Sequence, residues 1–202
     1  MAFILGIKQG MSQIFKDEKI MPVTVILAGP CFVQSIKTKE KDGYQAVKLT
    51  FGERKKLKKP QEGEAKDLKI KPRFIKEFKV GEAENLKRGE MVKVESFKEG
   101  ELVKVEGISI GKGFGGVVKR YGFHGAKATH GTKHDQRRSG AIGATAPQRV
   151  FKGKKMAGRM GGEKTTIRNL EILKIEPEKN FLYLKGAVPG KRGNLLKITS
   201  LK

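Results

Sequence analysis

Short runs of branched and aromatic apolar residues recur in the first quarter of the chain, each bounded by a turn signal. Residues 21–27, 31–36 and 44–51 form such runs. The dipeptides at 29–30, Gly-Pro, and at 42–43, Asp-Gly, separate them, and both favour turns. Valine, isoleucine and the aromatic residues fit the pleated surface of a sheet, so the pattern predicts three β-strands.

The same pattern returns from residue 102 and again at the end of the chain. Apolar and polar residues partly alternate over residues 102–110, and further apolar runs occupy residues 165–175, 181–184 and 195–198. Short, closely spaced strands with few helical periods are typical of a barrel or a sandwich. We therefore expect a mainly β protein.

Between residues 52 and 90 the chain is polar. Lysines cluster at residues 55–59, and residues 72–79 are compatible with a short helix or a strand. This segment predicts an irregular insertion, about residues 52–90, within the β domain.

The middle of the chain, residues 111–162, differs in composition from both flanks. It holds one acidic residue, Asp135, against twelve lysines and arginines, and it carries 13 of the 26 glycines. The flanks on both sides are strand-like, so we expect one β domain, residues 1–110 and 163–202, that extrudes this stretch as a long basic loop. An unstructured loop of this length is unusual within a domain. Either it is disordered when free or a partner orders it.

The formal net charge of +23 is the outlying property of the composition. A charge of this size repels itself in a compact state, so it indicates a polyanionic partner. Nucleic acid is the first candidate, and an anionic membrane surface is the alternative. A basic amphipathic membrane helix would need helical periodicity, which the density of glycine opposes.

The beginning of the chain and its single cysteine indicate a soluble protein of a reducing, intracellular compartment. The N-terminal residues lack the basic and long apolar regions of a signal peptide. No apolar run approaches the roughly 18 residues that span a bilayer. Cys31 has no partner for an internal disulfide and lies in an apolar run, which favours a buried structural thiol.

Residues 111–162 combine properties that a peptide needs inside folded RNA. Lysine and arginine neutralise phosphates and release counterions, whereas carboxylates would be repelled. Glycine lets the backbone approach RNA closely and turn with positive φ. Side chains that could stack on bases are interspersed among the cations: Phe114, Tyr121, Phe123, His124, His130 and Phe151.

A glycine pattern in the same stretch points weakly to a dinucleotide site. Residues 111–116, GKGFGG, fit the spacing G-x-G-x-x-G. Such a site needs a following helix inside a βαβ unit. Residues 117–122 show no helical period and lead into more glycine, so we expect no such cofactor.

Metal binding and catalysis are also weakly indicated. His124, His130 and His134 could suggest a metal site, but a glycine lies between the last two and the basic neighbours oppose a cation. Ser139 has no plausible base and acid partners, and no carboxylate pair is present. We expect neither a metal site nor a catalytic residue, so an enzyme is not predicted.

Several long motifs follow one another along nearly the whole chain. They are LGIKQGMSQIF at residues 5–15, GISIGKGFGGVVKR at 107–120, ATHG at 128–131, GAIG at 140–143, RVFKGKKMAG at 149–158 and GAVPG at 186–190. In these motifs the chain resembles the large-subunit ribosomal protein L-three family in its bacterial form. The polar insertion matches least.

The resemblance implies a fold, a function and partners. The fold is a closed β-barrel like that of translation factors, with a small irregular α+β segment inserted and a long extended basic loop. Members of the family are structural components of the 50S subunit in the cytoplasm, bind 23S rRNA near its 3′ end and act early in subunit assembly. Their extension reaches toward the peptidyl transferase centre. Ribosomal proteins L-fourteen and L-nineteen are the expected neighbours, and no membrane or small-molecule substrate is implied.

The resemblance also implies that the lysines and arginines of residues 111–162 contact rRNA and that His130 contacts a base or the RNA backbone. The expected contacts are Lys112, Lys119, Arg120, Lys127, His130, Lys133, Arg137, Arg138, Arg149, Lys152, Lys154, Lys155 and Arg159.

Two positions depart from the family pattern. Lys104 stands where the family often has aspartate, which would change a surface contact. Ala144 stands where some bacterial members carry a methylated glutamine, so we expect that modification to be absent unless Gln148 substitutes for it.

Two other functions remain open alongside a ribosomal role. One is a free-standing nucleic-acid-binding regulator or chaperone, which sedimentation would separate from a subunit component. The other is a nucleotide-binding oxidoreductase built on the glycine run, which a thermal shift with dinucleotides would detect.

Overall fold

The computed structural model describes residues 2–16, 18–65, 68, 70–80 and 86–201. The chain forms two compact units. The main unit comprises Met1–Ser109 and Lys164–Lys202, and the central unit comprises Ile110–Glu163. Strands supply most of the regular structure, so the prediction of a mainly β protein is confirmed.

The elements follow one another in an order dominated by strands. They are β1 (Phe3–Lys16), β2 (Lys19–Ala28), β3 (Cys31–Lys37), α1 (Lys39–Asp42), β4 (Ala46–Glu53), α2 (Lys59–Ala65), β5 (Pro72–Lys79), β6 (Met91–Val92), a 3-10 turn (Val94–Ser96), β7 (Leu102–Ile108), β8 (Phe114–Gly115), α3 (Val117–Tyr121), β9 (Gly158–Arg159), β10 (Lys164–Glu176), β11 (Phe181–Lys185) and β12 (Leu195–Ser200).

Six strands of the main unit close on themselves through antiparallel pairing. Their order is β1, β12, β7, β10, β11 and β2, and β2 pairs again with β1. Side chains alternate between the two faces of a strand, so Val103 and Val105 of β7 are buried while Glu106 points outward. Leu196 and Ile198 of β12 are buried in the same alternation. The ring thus encloses an apolar core.

The first strand, β1, is not predicted by the apolar runs, because its beginning is buried on both faces. Phe3, Ile4 and Leu5 are consecutive and all buried. A strand covered on both faces loses the alternation that reveals a half-exposed one. The covering element is a second sheet, since the ring of Phe3 stacks on that of Phe78 in β5 with centroids 4.9 Å apart.

The second sheet has the strand order β5, β4, β3, β6. Val47, Leu49 and Phe51 of its strand β4 are buried in the same core cluster as Leu5 of the ring. The sheet therefore joins the ring through a shared apolar core.

The polar segment at residues 52–90 contains regular structure. Residues 72–79, which the sequence leaves open between helix and strand, form β5 and pair along β4. The helix α2 precedes this strand. Residues 66, 67, 69 and 81–85 of the segment lie outside the described residues.

A short antiparallel ladder joins the two ends of the central unit. Phe114 pairs with Arg159 across β8 and β9. The backbone N–H of Lys112 donates to the carbonyl oxygen of Met160 at 2.9 Å, and the N–H of Met160 donates to the carbonyl oxygen of Gly113 at 2.9 Å. These bonds bring the two ends of the unit side by side.

A short helix, α3, follows the ladder and corrects the expectation that residues 117–122 are not helical. It is five residues long and lies between two glycines. Gly116 is extended before it, and Gly122 ends it with a φ of 72°, a conformation that glycine adopts without strain. The helix is too short for an apolar period to appear in the sequence.

Candidate nucleic-acid interface

The thirteen expected RNA contacts all lie in the central unit. Twelve of their side chains are exposed, and the guanidinium-bearing side chain of Arg120 is half-buried. Residues 111–162 carry eleven net positive charges. A surface of this kind attracts a polyanion at long range and offers many separate donors at contact.

Arg120 on α3 is held by a contact across the unit. Its Nη1 donates a hydrogen bond to the carbonyl oxygen of Met156 at 2.9 Å. Its guanidinium carbon lies 4.9 Å from the ring centroid of Tyr121, and Nζ of Lys155 lies 5.7 Å from the same centroid. Two cations thus converge on one partly exposed aromatic ring, an arrangement suited to contact with both phosphate and base.

A compact loop presents His130. The N–H of Ala126 donates to the carbonyl oxygen of Gln136 at 3.2 Å, and Nε2 of Gln136 donates to the carbonyl oxygen of Ala128 at 3.3 Å. His130 and Gly131 turn the chain with φ values of 57° and 78°. These bonds hold an exposed imidazole at the turn.

The one acidic side chain of residues 111–162 is already paired with an arginine. Asp135 forms an ion pair of 2.9 Å with Arg138, and both side chains are largely exposed. An exposed pair of this kind contributes only about 0–1 kcal/mol. Phosphate oxygens could therefore replace the carboxylate at Arg138 with little loss of stability.

A groove of about 1080 Å³ opens within the central unit. Arg137, Arg138 and His124 line it together with Phe123 and Ile142. Apolar and cationic surface thus lie together, as contact with an unstacked nucleotide requires.

Exposed aromatic rings accompany the cations. Phe114 is 80% exposed and lies directly opposite Arg159 in the ladder. The guanidinium carbon of Arg149 lies 5.6 Å from the ring centroid of Phe151. Large apolar rings are costly to leave in water, so their exposure within a basic surface favours stacking on bases.

The main unit holds a second group of cations that the sequence alone does not bring together. Lys104, Lys164 and Lys197 come from β7, β10 and β12 and surround Glu106. Of these residues, the sequence singles out Lys104 alone. The group as a whole could be predicted only from the register of the three neighbouring strands.

The requirements of a metal site, a dinucleotide site and a membrane-spanning helix can be compared with the described residues. No group of three His, Cys, Asp or Glu side chains among them could hold a metal ion. The glycine pattern at 111–116 runs through β8 into α3, and every strand pairing found in the described part of the chain is antiparallel, unlike a βαβ unit. None of the helices in these residues is long and apolar enough to cross a membrane.

Comparison with known proteins extends the picture from residues to family. The model of the family described as "Ribosomal protein L3" matches residues 73–180, which include the whole central unit. A "Large ribosomal subunit protein uL3" from Thermosipho africanus is 47% identical over 204 residues, covering 100% of this chain and 99% of the relative. The chain belongs to the ribosomal protein L3 family.

Two further relatives of the same name place the chain among bacterial members of the family. The protein from Carboxydothermus hydrogenoformans is 50% identical, with 96% of this chain and 94% of the relative covered. The protein from Chlorobium limicola is also 50% identical, with 100% of both chains covered. The resemblance that the motifs indicate is thus confirmed.

Proposed function

We propose that this protein is a structural constituent of the large ribosomal subunit and binds 23S rRNA directly through its central unit. The observation that carries the proposal is the surface of that unit, with twelve lysines and arginines against one paired carboxylate in residues 111–162. Relatives similar over the full chain are large ribosomal subunit proteins by name. The protein acts there without catalysis, cofactor or metal.

Two physical effects follow from RNA binding by such a unit. Its cations neutralise phosphates, which lets neighbouring rRNA helices approach one another. Internal ties such as the bond from Arg120 to Met156 make the unit a brace, because a restrained peptide limits the motion of the RNA around it. The thirteen contacts expected from the sequence are the residues proposed for these roles.

The finer assignments rest on the family resemblance. We propose that the six-stranded ring is the translation-factor-type barrel of the family and that residues 111–162 are its rRNA-penetrating extension. The extension would reach toward the peptidyl transferase centre, and the protein would bind near the 3′ end of 23S rRNA early in assembly. Ribosomal proteins L-fourteen and L-nineteen would be its neighbours.

Sedimentation tests the proposed function against a free-standing regulator or chaperone. Cell extract is centrifuged through a sucrose gradient at moderate salt, and the protein is followed by immunoblotting. The protein is expected to co-migrate with the 50S subunit, and filter binding is expected to show retention of 23S rRNA by the purified protein. Recovery chiefly in the soluble fractions would contradict the proposal.

The oxidoreductase alternative has a separate test. A dinucleotide cofactor that binds the native state raises the unfolding temperature. No shift of the thermal unfolding midpoint is expected with either nicotinamide dinucleotide. A saturable shift would support the alternative.

A further inference from the structure

Three neighbouring strands of the ring place a group of charged side chains on one outer face of the main unit. Lys197 of β12 lies directly opposite Glu106 of β7 in the strand register. Lys104 is two residues from Glu106 on the same strand, and Lys164 pairs with Ile108, two residues on. Residues two apart share a face, so these side chains meet. We call Lys104, Lys164 and Lys197 the lysine cluster.

Glu106 lies beneath the amines of the cluster. Nζ of Lys104 is 3.2 Å from Oε1 of Glu106, and Nζ of Lys164 is 2.9 Å from Oε2, so each carboxylate oxygen has a different lysine. The side chain of Glu106 is 13% exposed, whereas those of Lys104 and Lys164 are 31% and 70% exposed. A ligand that approaches from solvent therefore meets ammonium groups before the carboxylate.

With Lys197, the cluster holds three lysines against one carboxylate. Nζ of Lys197 lies 4.6 Å from the ring centroid of Phe78. Its pKa is lowered chiefly by burial; Glu106 is the largest opposing effect, and Lys164, Lys104 and Lys76 each lower the pKa by less. The pKa of Glu106 is raised by its own burial, but Lys164 and Lys104 outweigh this and hold it below its usual value. Positive charge is in excess at this face.

A purely structural role accounts poorly for this excess. One lysine suffices to pair with one carboxylate, and each further cation adds repulsion that the fold must tolerate. Ion pairs near the surface stabilise a fold only slightly, so they do not offset this repulsion. An external anion would relieve the repulsion, because every ammonium keeps donors that Glu106 does not occupy.

We propose that the lysine cluster is a second RNA-binding site, on the main unit, that grips phosphates of the RNA backbone. Glu106 lies below the amines, which leaves them on the solvent side where a phosphate would bind. Thr166, which is exposed and pairs with Glu106 across β7 and β10, supplies a hydroxyl beside them. The inference rests on the proposed function, since it takes the polyanion to be the rRNA that the central unit binds.

Salt-dependent binding of the full-length protein to a 23S rRNA transcript tests the inference. Removal of one lysine–phosphate interaction reduces the slope of log affinity against log salt by about 0.7–0.9. The variant K104A/K164A is expected to lower both affinity and slope, the latter by up to about two such interactions. The matched control is K174A/K185A, which removes two lysines of the main unit that are also paired with glutamates, Glu176 and Glu171. The control is expected to keep the wild-type slope.

The variant E106Q separates binding from structure. It removes a negative charge beneath the bound phosphates but no cation, so RNA affinity is expected to rise by a few-fold with a native thermal unfolding profile. Weaker binding by E106Q, or the same slope for K104A/K164A and wild type, would overturn the inference. Normal RNA binding by K104A/K164A with poor incorporation into reconstituted 50S particles would assign the cluster to an acidic protein surface and overturn it as well.

The two proposals fail in distinguishable ways. If wild-type protein does not retain 23S rRNA, the proposed function fails. In a second outcome, wild type binds 23S rRNA and removal of cations from the central unit weakens binding, but K104A/K164A binds as wild type does. The proposed function then holds and only the RNA-binding role of the lysine cluster fails.

Discussion

Arg120 donates a hydrogen bond from Nη1 to the carbonyl oxygen of Met156, 2.9 Å away and 36 residues along the chain. The bond joins α3 to the residues that precede β9. The space it occupies is narrow, because a Cβ at Gly158 would lie 2.8 Å from the same Nη1. Arg120 is therefore both a cation of the proposed interface and an internal tie of the central unit.

Substitution of Arg120 separates these two roles. Arg120→Lys keeps the charge but lacks the guanidinium fork, so the tie is broken. Removal of one exposed hydrogen bond costs about 0.5–1.5 kcal/mol, so limited proteolysis of the free protein near residues 150–158 is expected to accelerate by up to about tenfold. The salt dependence of RNA binding should stay that of the wild type. The control Lys119→Ala removes a neighbouring exposed cation and should leave the cleavage rate unchanged. Equal cleavage of R120K and wild type would show that the bond does not hold the unit together.

Three lysines near the end of the central unit are expected to bind phosphate. K152A/K154A/K155A should weaken binding to 23S rRNA and reduce the log–log salt slope by up to about three phosphate interactions, each about 0.7–0.9. Filter binding over a salt series measures both quantities. K55A/K56A/K58A changes the net charge equally at exposed residues of the main unit and serves as the control. An unchanged slope for the first variant would show that these lysines are solvated, and equal losses in both would indicate a dependence on net charge alone.

Two glycines of β1 differ in what surrounds them. A Cβ at Gly6 would lie 2.6 Å from Cγ2 of Ile26 and 2.9 Å from the carbonyl oxygen of Leu27, whereas a Cβ at Gly10 would meet nothing within 4 Å. Overpacking typically costs about 1–3 kcal/mol, so Gly6→Ala should lower the free energy of unfolding by that amount in urea denaturation. Gly10→Ala should change it by less than about 1 kcal/mol, because strand glycines gain from a side chain when space is open. Equal stabilities of the two variants would contradict the packing around Gly6.

Cys31 should be chemically inert in the native protein. Burial raises the pKa of its thiol to about 12, against a smaller opposite effect of the hydrogen bond that Sγ donates to the carbonyl oxygen of Leu5. The thiolate is the reactive species, so at pH 8 a maleimide should label the folded protein far more slowly than the urea-unfolded protein. Mass spectrometry over time measures the two rates. Rapid labelling of native protein would mean that the core around Cys31 opens readily.

The strands of the main unit are predictable where residue type and burial coincide. The apolar run at 181–184 corresponds to β11, whose Leu182 and Leu184 are buried. The buried thiol expected at Cys31 is confirmed for the same reason. The strand β1 is not predicted, because Phe3 and Leu5 are also covered by a second sheet. The local sequence around β1 does not show that this sheet packs against it.

The candidate sites are predictable as composition but not as geometry. The acid-poor stretch at 111–162 is visible at once in the sequence, whereas α3 depends on positive φ at Gly122 and is too short to show a period. The approach of Arg120 to Met156 and of Lys164 to Glu106 links residues distant in sequence. Such contacts follow from strand register and chain closure, which local patterns do not encode.

Ile108 and Lys164 lie directly opposite each other in the register of β7 and β10. This pairing affects how the length of the chain between them can change during evolution. Between these two paired residues the chain runs through the central unit, and the antiparallel strands β7 and β10 hold the two residues opposite each other. The entropy of closing such an excursion grows only with the logarithm of its length, by about 0.6 kcal/mol for each doubling. Insertions and deletions between these two residues therefore cost little folding free energy, so the length of the central unit can vary with the depth of the RNA that we propose it enters.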